Sequence, residues 1–268
     1  MLRDAFLKTL RDARRAVGWW TLGLVAMTAL MVAAYPSVRD NPNLNKTVED
    51  YPDAFKAFLG LGETVDYTSP AGYLNSELFS FVVPLLLLIA AIGAGARATA
   101  GEEEDGTLDL LLANPISRRR LVLDKLAALC AEIVVLALVL WLALLVGAAA
   151  VGMHISAAHL AAATAAAALL AVAYGAIALF LGALLGRRGA AIGIAGAGAV
   201  AAYLLSSLAE LVTFLEPLRV ASPFYHYAAG DALRAGLAPE HIAVLLGLAV
   251  LATLAAVVAF ERRNLATP

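Results

Sequence analysis

LAALCAEIVVLALVLWLALLVGAAAVGM, residues 126–153, carries a single charged side chain, Glu132, along its whole length. A bilayer-spanning helix needs about 20 mostly apolar residues. Inside hydrocarbon the backbone must satisfy its own hydrogen bonds, so such a stretch reads as a helix that crosses a membrane. Five further stretches meet the same test: 16–35, 78–96, 158–185, 190–215 and 242–260. The expected fold is all-α, a polytopic membrane protein with six transmembrane helices. Spans three and four exceed the minimum length, which tilt or extension into the interface accommodates. Pro84, inside span two, is expected to kink it by removing a backbone donor.

Composition agrees with this reading. Apolar residues make up 62% of the 268, charged residues only 15%, and mean hydropathy is +0.83. Soluble domains average about 45–50% apolar and about 25% charged, so an ordinary soluble enzyme, a coiled coil and a disordered chain are excluded. The 19 basic and 21 acidic residues nearly balance, which argues against nucleic acid as a partner. A lone cysteine, Cys130, forms no internal disulfide and no thiolate cluster. Arginine far exceeds lysine and alanine is abundant, as in proteins from GC-rich bacterial genomes.

Six spans put both termini on one side, and basic residues choose the side. Fourteen of the 19 lie in the N-terminal segment, the loops after spans two and four, and the tail. The other three loops hold Arg39, Lys46, Lys56, Arg219 and Arg234. Both termini are therefore expected in the cytoplasm. The apolar part of the first stretch is too long for a signal-peptide core of about 7–15 residues, so it reads as a retained span.

The chain reads as one transmembrane domain over 1–268. In 1–15, Leu2, Phe6, Leu7 and Leu10 recur at helical spacing among basic residues, which suggests an interfacial helix; a positively charged flank that only fixes orientation is the plainer reading. An acidic outer loop spans 36–77 and shows no metal-ligand spacing. An irregular outer segment, broken by Pro217, Pro223, Gly230 and Gly236, spans 216–241. His154, His159, His226 and His241 fall near outer ends without metal spacing, and read as interfacial polar residues.

The most informative loop is 97–125. Four acids, Glu102 to Asp105, precede Gly106, Thr107 and an apolar patch containing Leu108, Leu111 and Leu112. Asn114-Pro115 breaks the chain. Ser117 then suits the N-cap of the helix that becomes span three. Apolar residues flanked by acids at a membrane surface suit protein docking, and a solvated connector fits the residues equally well.

The run from Glu102 to Lys125, Gly-Thr-Leu-x-Leu-Leu-Leu-x-x-Pro-x-Ser-Arg after an acidic start, resembles the permease subunits of type-2 ATP-binding-cassette exporters. The basic N-terminus, the six spans, the large loop after span one and Ser222-Pro223-Phe224-Tyr225 before span six share that layout. The resemblance implies that Glu104, Asp105, Gly106, Thr107, Leu108, Leu111, Leu112, Pro115 and Ser117 dock in a separate ATPase subunit and transmit its closure. It implies a second permease subunit as homodimer or heterodimer partner, contact with membrane lipid, and a place in the bacterial cytoplasmic membrane. The chain has no Gly-x-x-x-x-Gly-Lys-Ser/Thr phosphate loop. No cofactor is expected in it, and ATP and magnesium belong to the partner ATPase.

Within the membrane, Glu132 lies about 9 Å inward from the start of its span. An intramembrane acid suggests a substrate or proton role, and snorkelling to the interface is the plainer account. Glu210 could line an outer gate or simply be solvated. Gly189, Gly193 and Gly196 open span five with small residues that permit close helix approach, either within one subunit or between two. The few polar groups in the spans favour a hydrophobic or amphipathic cargo. Two other classes share the layout: an intramembrane protease, whose Glu-Glu-x-x-x-Arg motif lacks its arginine here, and an assembly or immunity factor without transport.

Overall fold

The computed structural model describes residues 5–41, 45, 47, 50–52, 56, 66–107, 116–209, 211–212 and 214–263. The described residues are almost entirely helical, and six helices are long and apolar enough to cross a membrane. In chain order, α1 is Ala5–Arg39, α2 Pro70–Leu74, α3 Val82–Ala96 and α4 Glu102–Glu104. After these come α5 Arg118–Ala150, α6 Ala157–Leu185, α7 Arg188–Leu208, α8 Pro223–Ala228 and α9 Pro239–Arg262. Two π-helical turns, Asn75–Phe79 and Arg97–Gly101, join α2, α3 and α4 into one spanning unit, Pro70–Glu104.

The helices start where side chains can cap them. Ser69, Ser117, Ser156 and Ser222 each accept a backbone N–H of the turn that follows, which satisfies orphan donors at the helix start. The expected cap at Ser117 is present, with Arg120 N donating to its Oγ at 3.3 Å. Gly186 ends α6 at φ +63, the left-handed conformation that glycine adopts without a Cβ penalty.

Residues 5–15 are helical and run without a break into the first span: α1 continues through 35 residues, with Ala5 and Ala13 already buried. Pro84 sits just after an interruption of span two at Ser80–Phe81, where the helical stretch 70–79 ends. It is the third residue of α3, whose N-cap Phe81 has φ −140. First-turn N–H groups lack an intrahelical acceptor, so a proline there forfeits nothing.

At the centre of the bundle is α6, which packs against α3, α5, α7 and α9, while α1 lies along α5. Small residues make this possible. A Cβ on Gly95 of α3 would collide with the carbonyl oxygen of Gly175 on α6. A Cβ on Gly175 would meet Leu129 Cδ1 at 2.8 Å and Ala91 O at 3.1 Å. Close backbone approach of this kind gains dispersion contact where no hydrophobic effect separates helix from lipid.

The two ends of the bundle are built differently. One gathers tyrosines whose hydroxyls donate to backbone carbonyls: Tyr35 to Thr68 at 3.2 Å, Tyr73 to Met31 at 2.7 Å and Tyr227 to Phe79 at 2.6 Å. Tyr67 donates to Glu77 Oε1, and burial, then this carboxylate, push its phenol well above the usual range. Asp66 accepts from Thr68 and Asn45, and these bonds hold its carboxyl below the usual range. The other end gathers the beginning of α1, α4, the beginning of α7 and the end of α9 through charges. The N-terminal and C-terminal described residues therefore share one end.

Candidate functional site

The charged end centres on the acidic run. Glu102 Oε1 accepts from Lys8 Nζ of α1 at 3.1 Å and from Lys125 Nζ of α5. Lys125 is almost completely buried and also donates to Thr9 Oγ1 at 2.9 Å. Arg263, just past α9, donates to Glu103 Oε1 at 2.6 Å. Glu104 Oε1 accepts the backbone N–H of Arg188 at 2.9 Å. The residue at the N-cap of α7, Arg187, offers no side-chain acceptor, so Glu104 caps that helix from another element.

Three successive acids thus reach α1 and α5, the end of α9, and the start of α7. A second tie runs alongside, in which Arg118 Nη1 donates to the carbonyls of Phe260 at 3.2 Å and Arg263 at 2.7 Å. Cationic side chains at a helix C-terminus complement its dipole and its orphan carbonyls. Removing one partner of a buried pair such as Glu102–Lys125 leaves an uncompensated charge, a loss of about 3–5 kcal/mol.

Beyond α4 the chain turns sharply. Gly106 has φ +66, and Thr107 closes the turn by donating its N–H to Glu102 O at 2.9 Å. Asp105 is exposed in this turn. Leu108, Leu111, Leu112 and Pro115 lie outside the described residues, as does Glu210. Of the expected docking residues, the structure therefore brings Glu104, Asp105, Gly106 and Thr107 together at the charged end, with Ser117 at the start of α5.

Gly189, Gly193 and Gly196 have nothing within 4 Å of an added Cβ. Among the described residues nothing covers them, whereas Ala191, Ala195 and Ala199 of the same helix are buried in a cluster with Tyr174, Ala178 and Phe224. Gly182 behaves in the opposite way, since its Cβ would meet Thr99 Oγ1 at 2.7 Å.

Glu132 is only 8% exposed and lines a cavity of about 190 Å³ together with Trp20, Arg97 and Arg188. Depth alone suggested snorkelling; the fold instead turns this carboxylate inward.

Several residues at these sites escape sequence reasoning. Lys8, Lys125 and Arg263 read locally as orientation charges, and only the fold sets them on the acids. A lysine as deeply buried as Lys125 demands a partner, but burial is not visible in spacing. His226 and His241, fifteen positions apart, bring their Nδ1 atoms to 3.0 Å, and His226 Nε2 lies 2.9 Å from Val220 O. Two of the four histidines are thus paired, because α8 folds back on the start of α9. No group of three or more metal-binding side chains occurs among the described residues.

Six apolar spanning helices with an alanine-rich central helix define a multi-pass helical membrane protein. Comparison with protein families carries this further. The profile of the ABC-2 family transporter proteins matches residues 6–265, nearly the whole chain. The chain belongs to that family, and it is a transmembrane transporter subunit. Among curated proteins, no match is found.

Proposed function

We propose that this chain is the permease subunit of an ATP-driven exporter of the bacterial cytoplasmic membrane, with both termini cytoplasmic. It works with a separate ATPase subunit that holds ATP and magnesium, and with a second permease subunit. The observation that carries the reading is the attachment of the acidic run to four spanning helices at once. A docking loop has to pass its displacement to the spans. A push on residues 102–107 would reach α1, α5, α7 and α9 through charge-assisted hydrogen bonds, which are shorter and stronger than neutral ones. Leu108, Leu111 and Leu112 follow directly and supply the apolar anchors, with Pro115 ending the element and Ser117 starting α5.

The uncovered Gly189, Gly193 and Gly196 supply the contact with the second permease, because a face without side chains lets another helix approach closely.

The test is the double substitution Leu108→Glu with Leu112→Glu. It would place charge in an apolar cleft, an expensive change without a partner. The variant inserts normally, yet either fails to co-purify with the ATPase or keeps it while transport stops. Unchanged affinity and unchanged export would reduce the loop to a connector. Orientation is tested separately, with cysteines at Lys46 and Arg119 in a Cys130→Ala background. They label from opposite sides in intact cells, Lys46→Cys from outside.

A further inference from the structure

The cavity around Glu132 is not used by the coupling scheme, and its lining is chemically unusual. It lies between α1, α3 and α5, with Arg188 at the start of α7 closing one side. Glu132 is nine-tenths buried, yet makes no hydrogen bond and no ion pair among the described residues. Arg97 and Lys125 are the cations whose charge acts on it, and Lys125 is already held by Glu102 and Thr9. Arg97, half-buried, likewise makes no hydrogen bond or ion pair among the described residues.

The stems of Arg97 and Arg188 converge over Gly101. A Cβ there would lie 3.0 Å from Arg97 Cγ and 3.6 Å from Arg188 Cδ. Arg97, Arg188, Glu132 and Trp20 therefore line one small space.

This set selects by charge. Paired arginines suit a phosphate, which guanidinium groups bind in a fork. A buried carboxylate beside an indole suits an ammonium, through charge and cation–π attraction. A purely anionic ligand would leave Glu132 facing a like charge, and a purely cationic one would face two arginines. Only a ligand with both charges close together satisfies every group.

The remaining walls decide whether that ligand is soluble. Val17, Ala90 and Leu136 are apolar, and Ile89 at the rim is 51% exposed on a spanning helix. In a membrane that rim faces acyl chains. The cavity accommodates a headgroup, and an acyl chain can leave past Ile89.

We propose that the crevice between α1, α3 and α5 binds a phospho-ammonium lipid of the phosphatidylethanolamine class. Arg97 and Arg188 hold its phosphate, and Glu132 and Trp20 hold its ammonium. This deepens the transporter reading by naming the chemistry of an amphiphile that the permease takes up. That the crevice opens to the cytoplasmic leaflet rests on the orientation proposed above.

The test uses the full chain purified in detergent and a short-chain phosphatidylethanolamine carrying a fluorophore on one acyl chain, read by anisotropy. Short-chain phosphatidylethanolamine and phosphatidylglycerol compete, as does soluble O-phosphoethanolamine. The wild type prefers the ethanolamine lipid over the glycerol lipid by about tenfold or more. Glu132→Gln abolishes that preference while glycerol-lipid binding persists, which shows that the variant is folded. Trp20→Leu reduces the preference without abolishing binding, and Arg97→Gln weakens both lipids. Equal competition by the two lipids in the wild type overturns the proposal, and so does an unaltered preference in Glu132→Gln. If O-phosphoethanolamine competes as well as the lipid, the site takes a soluble zwitterion and the lipid assignment falls. Detergent binding does not depend on orientation, so a failed titration removes the site and leaves the permease reading to ATPase co-purification and cysteine labelling.

Discussion

Helices α6 and α7 are both rich in alanine and glycine, yet the fold treats them in opposite ways. In the most apolar 18-residue stretch of each, 56% of α6 residues are buried against 22% for α7. Along α6, Gly175 and Gly182 are filled by neighbours of the same chain: Leu129, Ala91 and Thr99. Along α7, Ala191, Ala195, Ala199 and Ser206 are buried, whereas Gly189, Gly193, Gly196 and Gly198 meet nothing within 4 Å of an added Cβ among the described residues. Small residues license close approach but do not say to whom. In α6 the partners are α3, the π-helical turn that follows it, and α5. In α7 no described residue fills the glycines, and the proposed second permease would cover them.

Substitutions can break or sharpen that contrast. The largest effect is expected at the α3–α6 crossing. Gly95→Leu forces a side chain onto the carbonyl of Gly175, and backbone cannot swing aside as a side chain can. Overpacking costs about 1–3 kcal/mol and occasionally more, and a backbone collision belongs at the upper end. The variant should give no monodisperse protein by size exclusion after detergent extraction. A well-behaved Gly95→Leu would mean that the crossing is looser than its geometry.

Gly182→Val comes next. Its obstacle is the hydroxyl of Thr99, a side chain, with Ala96 O at 3.3 Å behind it. A loss of about 1–2 kcal/mol is expected, seen as a lowered midpoint in thermal unfolding monitored by circular dichroism. Adding Thr99→Ala should recover part of it.

A smaller effect is expected where α7 is anchored. Glu104→Ala removes the acceptor for Arg188 N–H. Loss of a helix cap costs about 0.5–2 kcal/mol, and this exposed site belongs near the lower bound. Hydrogen exchange should rise at 188–191 and stay unchanged within α6. Faster exchange throughout the bundle would show that the acidic run holds more than the start of α7.

The smallest effect on the chain itself is predicted for Gly193→Leu. Exposed substitutions away from special features usually stay within about 0.5 kcal/mol. The unfolding midpoint should barely move, while the oligomer, measured by light scattering with detergent subtracted, dissociates. An intact oligomer would mark the glycine face of α7 as lipid-facing.

The contrast also shows how far local reading reaches. Composition makes 158–185 and 190–215 alike, and the sequence reading placed the possible contact surface at span five on its Gly-x-x-x-Gly pattern. An equally good pair, Gly182 and Gly186, is spent differently: Gly182 packs inside the subunit, and Gly186 supplies the left-handed C-cap of α6. Pro84 gives a related lesson: the sequence marks a disturbance in span two, and the fold sets the interruption at Ser80–Phe81, one turn before the proline. For the charged end, the cap at Ser117 was legible because capping needs only neighbours in sequence. The acidic run was visible as a run, but its roles were not, since its partners Lys8 and Arg263 lie 94 and 160 positions away.

The sequence by itself determined the number of spans, the all-helical class, the cap at Ser117 and the family, since each depends on hydropathy or spacing within some twenty residues. Tertiary structure alone decided which glycines are covered, which cations meet Glu102 and Glu103, that Glu104 caps α7, that Glu132 lines a cavity with Arg97 and Trp20, and that His226 meets His241. These depend on which helix faces lie together, and in a membrane that choice follows shape and buried charge rather than hydrophobicity, because lipid is as apolar as the helices it surrounds.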